Sequence, residues 1–228
     1  MISIVIPVYN EPKINDTIVE LWKQNYAEFE IIVVDGHQDA ITLAMIEDDK
    51  VLKIASRPGR AVQMNAGARK ASGDILLFLH ADSKLPVNGL KMIDQIIKSG
   101  IKAGAFDIWF ASRNWLIREV ISRTASFRSR LLGLPYGDQG HFFRKDLFDE
   151  MGGYDEIPIM EDIQIMKRLR RLKEKAFIIP HRIITSGRRW EEEGTFFVML
   201  RNPILAGLFF LGVPPEKLIK FYPKAKSE

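Results

Sequence analysis

The chain has 228 residues, 33 Lys+Arg against 29 Asp+Glu for a net charge of +4, no cysteine, 46% hydrophobic and 27% charged residues. These globular values exclude disordered, collagen-like and coiled-coil readings. Zero cysteines exclude disulfides, thiolate metal sites and cysteine nucleophiles, and suit a reducing compartment. The mild basic excess favours anionic ligands or a membrane surface and is too small to argue for nucleic acid.

Met1 runs directly into Ile2-Ser3-Ile4-Val5-Ile6, a strand pattern without a basic leader segment, so no secretory signal is expected. No run of about 20 apolar residues is present; the nearest, 203–213, is too short to span a bilayer. The expected location is cytoplasmic, with the inner face of the membrane left open.

The first half alternates strand and helix. Apolar runs at 2–8, 30–34, 51–55 and 75–79 read as strands. Helical spacing marks 14–25, 41–47, 60–70 and 90–98. Fully apolar strands separated by helices predict a parallel sheet buried on both faces. Ligands of such sheets bind beyond the carboxyl ends of the strands, where this chain carries Asn10, Glu11, Asp35, Asp39, His80 and Asp82.

The second half changes character. Residues 105–110 alternate like an edge strand, 114–127 read as helix, and 137–143 as a turn into a short strand. A short helix is expected at 146–151 and a longer one at 161–173, with Ile165, Met166, Leu169 and Leu172 on one face. Residues 176–180 and 182–185 read as two short strands. The segment 195–213 is apolar and aromatic, interrupted by Arg201-Asn202-Pro203, and reads as two short helices with a kink. One domain over 1–194, with halves at 1–104 and 105–194, and a C-terminal appendage over 195–228 is the economical division.

Several phosphate and nucleophile motifs are missing: no G-x-G-x-x-G follows the first strand, no G-x-x-x-x-G-K-[ST] occurs, and no G-x-S-x-G occurs. Carboxylates at strand ends stand in their place. Asp35 and Asp82 fit a base, ribose or divalent cation, whose oxygen ligands are usually shared with phosphate; they equally fit ordinary strand-to-turn chemistry. His80 reads as a metal ligand or as a neutral histidine hydrogen-bonded near the sheet edge. Glu161-Asp162 reads as a helix N-terminal acidic pair or as an exposed general base. Arg57, Arg60, Arg188 and Arg189 sit beside glycines or turns, where they fit a diphosphate or plain solvation. Trp190 fits a sugar-stacking platform or a packing role.

Taken in order, Ile4-Val5-Ile6-Pro7-Val8-Tyr9-Asn10-Glu11, Glu30-Ile31-Ile32-Val33-Val34-Asp35-Gly36, Asn65-Ala66-Gly67, Gly73-Asp74-Ile75-Leu76-Leu77-Phe78-Leu79-His80-Ala81-Asp82 and Glu161-Asp162 resemble glycosyltransferase family 2. Arg57-Pro58-Gly59-Arg60, Gly137-Asp138-Gln139-Gly140 and Ser186-Gly187-Arg188-Arg189-Trp190 resemble its small subgroup associated with radical-SAM and selenoprotein genes. The resemblance implies a GT-A fold, a mixed and mostly parallel α/β sheet flanked by helices, and inverting transfer of a sugar from a nucleoside diphosphate, with uridine favoured.

By the same resemblance, Pro7, Tyr9 and Glu11 line the nucleoside pocket and Asp35 meets the base. Arg60, Asn65 and Arg189 lie near the nucleotide. Asp82 is the last aspartate of the family's D-x-D and binds Mn²⁺ or Mg²⁺. Asp162 is the catalytic base with Glu161 its neighbour. Trp190, Asp138, Gln139 and His80 fall on the acceptor and sugar side. Two departures stand out: His80 replaces the first aspartate of D-x-D, and Ser186 stands near the place of the family's signature glutamine.

The appendage carries trailing Lys217, Lys220, Lys224 and Lys226. It fits a membrane interface near a lipid-linked acceptor, packing on the enzyme body, or a homodimer contact. Two other functions stay open at this point. One is a sugar-phosphate nucleotidyltransferase, which needs a Gly-rich first loop that Tyr9-Asn10-Glu11-Pro12 does not supply. The other is a non-catalytic nucleotide-sugar-binding protein.

Overall fold

A computed structural model describes residues 1–222. Lys224 and Lys226 of the basic tail lie outside the described residues. Seven strands form one sheet in the order β3-β2-β1-β4-β6-β5-β7. They are β1 (Ile2–Val8), β2 (Phe29–Asp35), β3 (Leu52–Ala55), β4 (Ile75–Phe78), β5 (Ala103–Ala111), β6 (His141–Arg144) and β7 (Phe177–Ser186). Only β6 runs against its neighbours, antiparallel to both β4 and β5.

The β1 sequence shows why the sheet is buried on both sides. Its even residues Ile2, Ile4 and Ile6 join one core with Ile14, Ile18 and Leu21 of α1 (Ile14–Trp22) and Leu90 and Ile93 of α4 (Gly89–Lys98). Its odd residue Val5 joins the other core with Ala61, Met64 and Ala68 of α3 (Arg60–Lys70) and Ile165, Met166 and Leu169 of α7 (Glu161–Arg171). Period-2 alternation thus sends successive β1 side chains to opposite helical layers. Helix α3 approaches closely because Gly67 has no side chain: a Cβ there would lie 2.4 Å from Val5 Cγ1.

Three expectations need correction. Strand β5 is not at the edge; it lies between β6 and β7. Its alternation has another cause: Phe106, Ile108 and Phe110 are buried, while Asp107 and Trp109 face a side that no helix fully covers. The two short strands at 176–180 and 182–185 are one strand, β7, with a bulge. Phe106 pairs with Ile179 and Asp107 with Arg182, so Pro180 and His181 are the extra residues. Pro180 cannot donate to a ladder, and an edge bulge is where such a residue is tolerated.

The third correction concerns the appendage, where α9 (Thr195–Phe210) runs unbroken through Pro203. Both halves share one buried stripe, Val198, Arg201, Leu205, Ala206 and Phe209, which holds the axis despite the missing N–H donor. Leu205, Ala206 and Phe209 pack with Ile159 and Ile163 at the start of α7.

The helix expected at 114–127 begins as a π-helical turn, Leu116–Ile121, and continues as α5 (Ser122–Leu132). The remaining helices are α2 (Ile41–Met45), α6 (Lys145–Glu150), α8 (Arg188–Glu192) and α10 (Pro215–Leu218).

Candidate active site

A cavity of about 680 Å³ opens at the carboxyl edge of the sheet. Its floor is the ends of β1 and β4, through Pro7, Tyr9, His80 and Asp82. Its walls are α5, α9, the turn at 136–139 and the end of β7. Arg60, Arg128, Arg188 and Arg189 line it together with Asp82, Asp138 and Asp162. Eleven residues singled out in the sequence therefore converge on one space: Pro7, Tyr9, Arg60, His80, Asp82, Asp138, Gln139, Asp162, Arg188, Arg189 and Trp190.

Asp162 gets there by a local backbone device. Met160 takes a left-handed conformation, φ 69°, at the start of α7. That conformation is costly for a side chain with a Cβ. The turn sends Glu161 inward, only 2% exposed, and Asp162 toward the cavity. Asp162 Oδ1 accepts from the Ile163 N–H at 2.8 Å, and Oδ2 accepts from the Gly137 N–H at 2.9 Å. The carboxylate is thereby tied to the turn that also carries Asp138.

Glu161 does not line the cavity; it forms a short ion pair with Arg60 from beneath. Burial pushes the Glu161 carboxyl up, and the Arg60 guanidinium opposes that push. Arg60 in turn places Nη1 3.4 Å from His80 Nε2. Burial, followed by the charges of Arg60 and Arg189, lowers His80 to about 3. The imidazole is neutral at neutral pH, and its Nε2 is the acceptor facing a guanidinium. A cation at Nε2 would lie against that positive charge.

Asp82 is exposed, and its Oδ1 accepts from Thr185 Oγ1 at 3.3 Å and Ser83 Oγ at 3.5 Å. Ser83 also donates to Thr185 at 3.0 Å, and Lys84 pairs with Ile184 as a two-way backbone bridge. These contacts fasten the loop after β4 to the edge strand β7. Among the described residues no three His, Asp or Glu side chains converge on a cation. The donor set is one exposed carboxylate, which fits Mg²⁺ or Mn²⁺ taking its remaining oxygens from phosphate and water.

Asp138 is pushed up to about 6, first by burial and then by the Asp162 charge. Gln139 is 1% exposed and fully committed. Its Oε1 accepts from Ser129 Oγ at 2.6 Å and from the Tyr136 N–H at 3.1 Å, and its amide donates to Phe106 O at 2.8 Å. Its role in this structure is to hold the turn in place. Trp190 packs on Phe110 with ring centroids 5.5 Å apart and also lines the cavity.

Besides Glu161, the selected Asp35, Glu11 and Asn65 do not line the cavity. Asp35 is fully buried; it accepts from the His37 and Thr42 N–H groups, each at 2.8 Å, and organises the loop after β2. Glu11 docks on the same loop, its N–H donating to Thr42 Oγ1 at 3.1 Å. Asn65 exchanges two hydrogen bonds with the Tyr154 backbone, at 2.8 and 2.9 Å, pinning the glycine turn before it to α3.

Other residues of the site escaped the sequence reading. Gln63 lines the cavity and donates to Val8 O at 2.6 Å and Val34 O at 2.8 Å, bridging the ends of β1 and β2. Gly36 makes room for it: a Cβ there would lie 2.9 Å from its amide. Arg128 lies 3.6 Å over the Tyr136 ring on the opposite wall. Arg189 donates to Tyr222 Oη at 2.9 Å, which brings the C-terminal segment over the cavity. The one available signal was Gln63 on the buried side of α3, a polar residue where the pattern asks for an apolar one.

An open cleft at the carboxyl edge of a mixed sheet, with carboxylates on both sides and arginines between them, defines a nucleotide-sugar transferase fold of the GT-A type. The chain belongs to glycosyl transferase family 2, whose match spans residues 3–151. It is 26% identical over 165 residues to the uncharacterized glycosyltransferase YwdF of Bacillus subtilis, covering 68% of this chain and 62% of that protein. It is 28% identical over 169 residues to an undecaprenyl-phosphate 4-deoxy-4-formamido-L-arabinose transferase of Proteus mirabilis, covering 66% and 51%. In these two alignments the chain spans between half and two thirds of the relatives' length.

Two solved structures share the fold. The mannosyltransferase PcManGT of Pyrobaculum calidifontis, in complex with GDP-Man and Mn²⁺, aligns with a TM-score of 0.60 at 17% identity, over 81% of this chain and 56% of that one. TarS 1–349 of S. aureus, in complex with UDP, aligns with a TM-score of 0.61 at 18% identity, over 81% and 60%.

Proposed function

We propose that the cleft binds a nucleoside diphosphate sugar and transfers the sugar, with inversion, to an acceptor hydroxyl. The observation that carries this reading is the Asp162 carboxylate, held by the Gly137 N–H at 2.9 Å and facing the same cavity as Asp82 and the arginines. Asp162 takes the proton from the acceptor hydroxyl as that oxygen attacks the anomeric carbon. The bond from that carbon to the diphosphate breaks on the opposite face, and the nucleoside diphosphate leaves with the electron pair.

Arg60 and Arg189 are placed to meet the growing diphosphate charge. Arg60 is braced from beneath by Glu161, so its guanidinium is oriented before a ligand arrives. Asp82 would hold Mn²⁺ or Mg²⁺ jointly with the diphosphate, and such an ion supplies further charge stabilisation to the leaving group. Pro7 and Tyr9 form the nucleoside side. Asp35 still has acceptor capacity but is fully buried beneath the loop between His37 and Thr42, so a base N–H reaches it only if that loop moves.

A UDP-sugar is the first candidate donor and a GDP-sugar the second. A lipid-linked acceptor is supported by the name of the Proteus relative. Among the described residues no helix is long and apolar enough to cross a membrane.

The test is a thermal-shift screen of UDP- and GDP-sugars with and without Mn²⁺. One donor should raise the melting temperature only when metal is present, and Asp82→Asn should abolish the rise. A screen in which no nucleotide sugar shifts the protein would overturn the reading. A metal-independent shift would remove Asp82 from its role.

A further inference from the structure

The net charge is not spread over the chain. Residues 113–132, the end of the loop after β5 followed by the π-helical turn and α5, hold Arg113, Arg118, Arg123, Arg128 and Arg130 against Glu119 alone, which is +4. The other 208 residues balance at 28 basic and 28 acidic. The same short segment is unusually greasy outside: Trp115 is 63% exposed, Phe127 66% and Leu131 69%. Val120, Phe127 and Leu131 are spaced seven and four apart, so they form one stripe of the helix, and Arg123 and Arg130 flank Phe127 at i−4 and i+3.

Helix α9 repeats the pattern on another wall of the same cavity. Its inner stripe packs against the start of α7, and Met199 and Asn202 line the cavity. Its outer stripe is Phe196, Phe197, Leu200 and Ile204, between 58% and 69% exposed. A helix apolar on both faces is ordinarily buried on both. Both walls of one cleft thus carry large apolar side chains on the stripe next to the one that lines the cleft.

We propose that these two stripes form a single docking surface for an anionic lipid monolayer, seating the mouth of the cleft on the membrane. Apolar side chains enter the headgroup–acyl boundary while the arginines meet lipid phosphates, the combination that interfacial helices use. Self-association fits worse. A two-fold interface sets each patch against its own copy, so Arg113 and Arg123 would oppose like charges; Arg130 is held by Asp107. The orientation toward an acceptor rests on the proposed transfer reaction; the docking itself does not.

The experiment is cosedimentation of the full chain, without donor or acceptor, with vesicles of phosphatidylglycerol and phosphatidylcholine and with pure phosphatidylcholine vesicles. Wild type should bind the anionic vesicles and lose most binding as salt rises from low to 0.5 M. Arg113→Glu with Arg123→Glu should weaken partitioning by about tenfold or more. Phe127→Ser with Leu131→Ser, and separately Leu200→Ser with Ile204→Ser, should do the same. All six positions are outside the cavity lining, so unchanged melting temperature and donor-induced shift show that fold and cleft survive.

Failure of wild type to bind anionic vesicles at low salt would overturn the proposal. So would a stable dimer in solution that the Ser variants dissociate. Either result leaves the donor screen free to succeed. A failed screen with intact vesicle binding would instead sink the transfer reading alone.

Discussion

The β2 side of the cleft and the β4–β7 side use the same residue types to opposite ends. Asp35 and Asn65 are committed to backbone groups, two N–H donors for Asp35 and the Tyr154 peptide for Asn65, while Glu11 accepts from the Lys13 N–H and its own N–H donates to the Thr42 hydroxyl. Across the floor, Asp82 is tethered by hydroxyls yet exposed, and Asp162 faces the cavity while two N–H groups hold it. A polar residue at a strand end is therefore either spent on shaping the rim or held there with a face left open. Only burial and partners separate the two cases.

The largest expected effect tests the open side. Asp162→Asn should lower transfer by at least 10²-fold, within the 10²–10⁴ typical of a general base, while the donor-induced thermal shift persists. Near-normal turnover in this variant would return the carboxylate to an ordinary helix-start role. Asp35→Ala tests the other side. It strands the buried Thr42 N–H and the half-buried His37 N–H and should cost roughly 3 kcal/mol, lowering the melting temperature by about 6–12 °C for a chain of this size. If Asp35→Ala kept its melting temperature and lost only nucleotide binding, the contrast between the two sides would collapse.

A smaller effect checks the layer that supports both. Gly67→Ala puts a methyl into Val5 Cγ1 and should cost about 1–3 kcal/mol, seen as an earlier urea midpoint with unchanged slope.

The smallest effect is a pH dependence with two opposing parts. His141 is fully buried, with Nδ1 3.1 Å from Tyr154 Oη and Nε2 3.1 Å from Pro135 O. Burial lowers it to about 4. A depressed histidine disfavours protonation in the fold, so stability is lost as pH falls from about 6.5 toward 4. Asp138 is raised to about 6, so its ionisation opposes folding and that opposition fades as pH falls through the same window. Asp138→Asn should therefore raise the melting temperature at pH 8 by a few degrees and steepen the acid loss. An equal gain at pH 4.5 and pH 8 would contradict the assignment.

Much of this molecule was legible from residue order. Apolar β-branched runs and helical spacing are local properties, and they placed β1 to β4 and the helices between them within a few residues. The parallel-sheet rule placed the cleft at the carboxyl edge. Residue order failed where the same pattern has two physical causes. Alternation in β5 arises from one incompletely covered face and not from an edge, Pro180 marks a bulge and not a strand break, and Pro203 is outweighed by a shared buried stripe.

The sequence by itself determined the layered α/β sheet, the family and most of the acids and arginines that reach one end of it, Arg128 excepted, because burial pattern and order along the chain suffice for those. Tertiary structure decided how those residues divide: Asp35, Asn65 and Gln139 into scaffolding, Asp82 and Asp162 into the cleft, Glu161 under Arg60. It also decided that the +4 charge sits beside exposed aromatics on a cavity wall. Asp35 is spent on its own loop, but for Asn65, Asp82, Asp162 and Arg60 the deciding partners lie tens of residues away in sequence, and no local pattern records them.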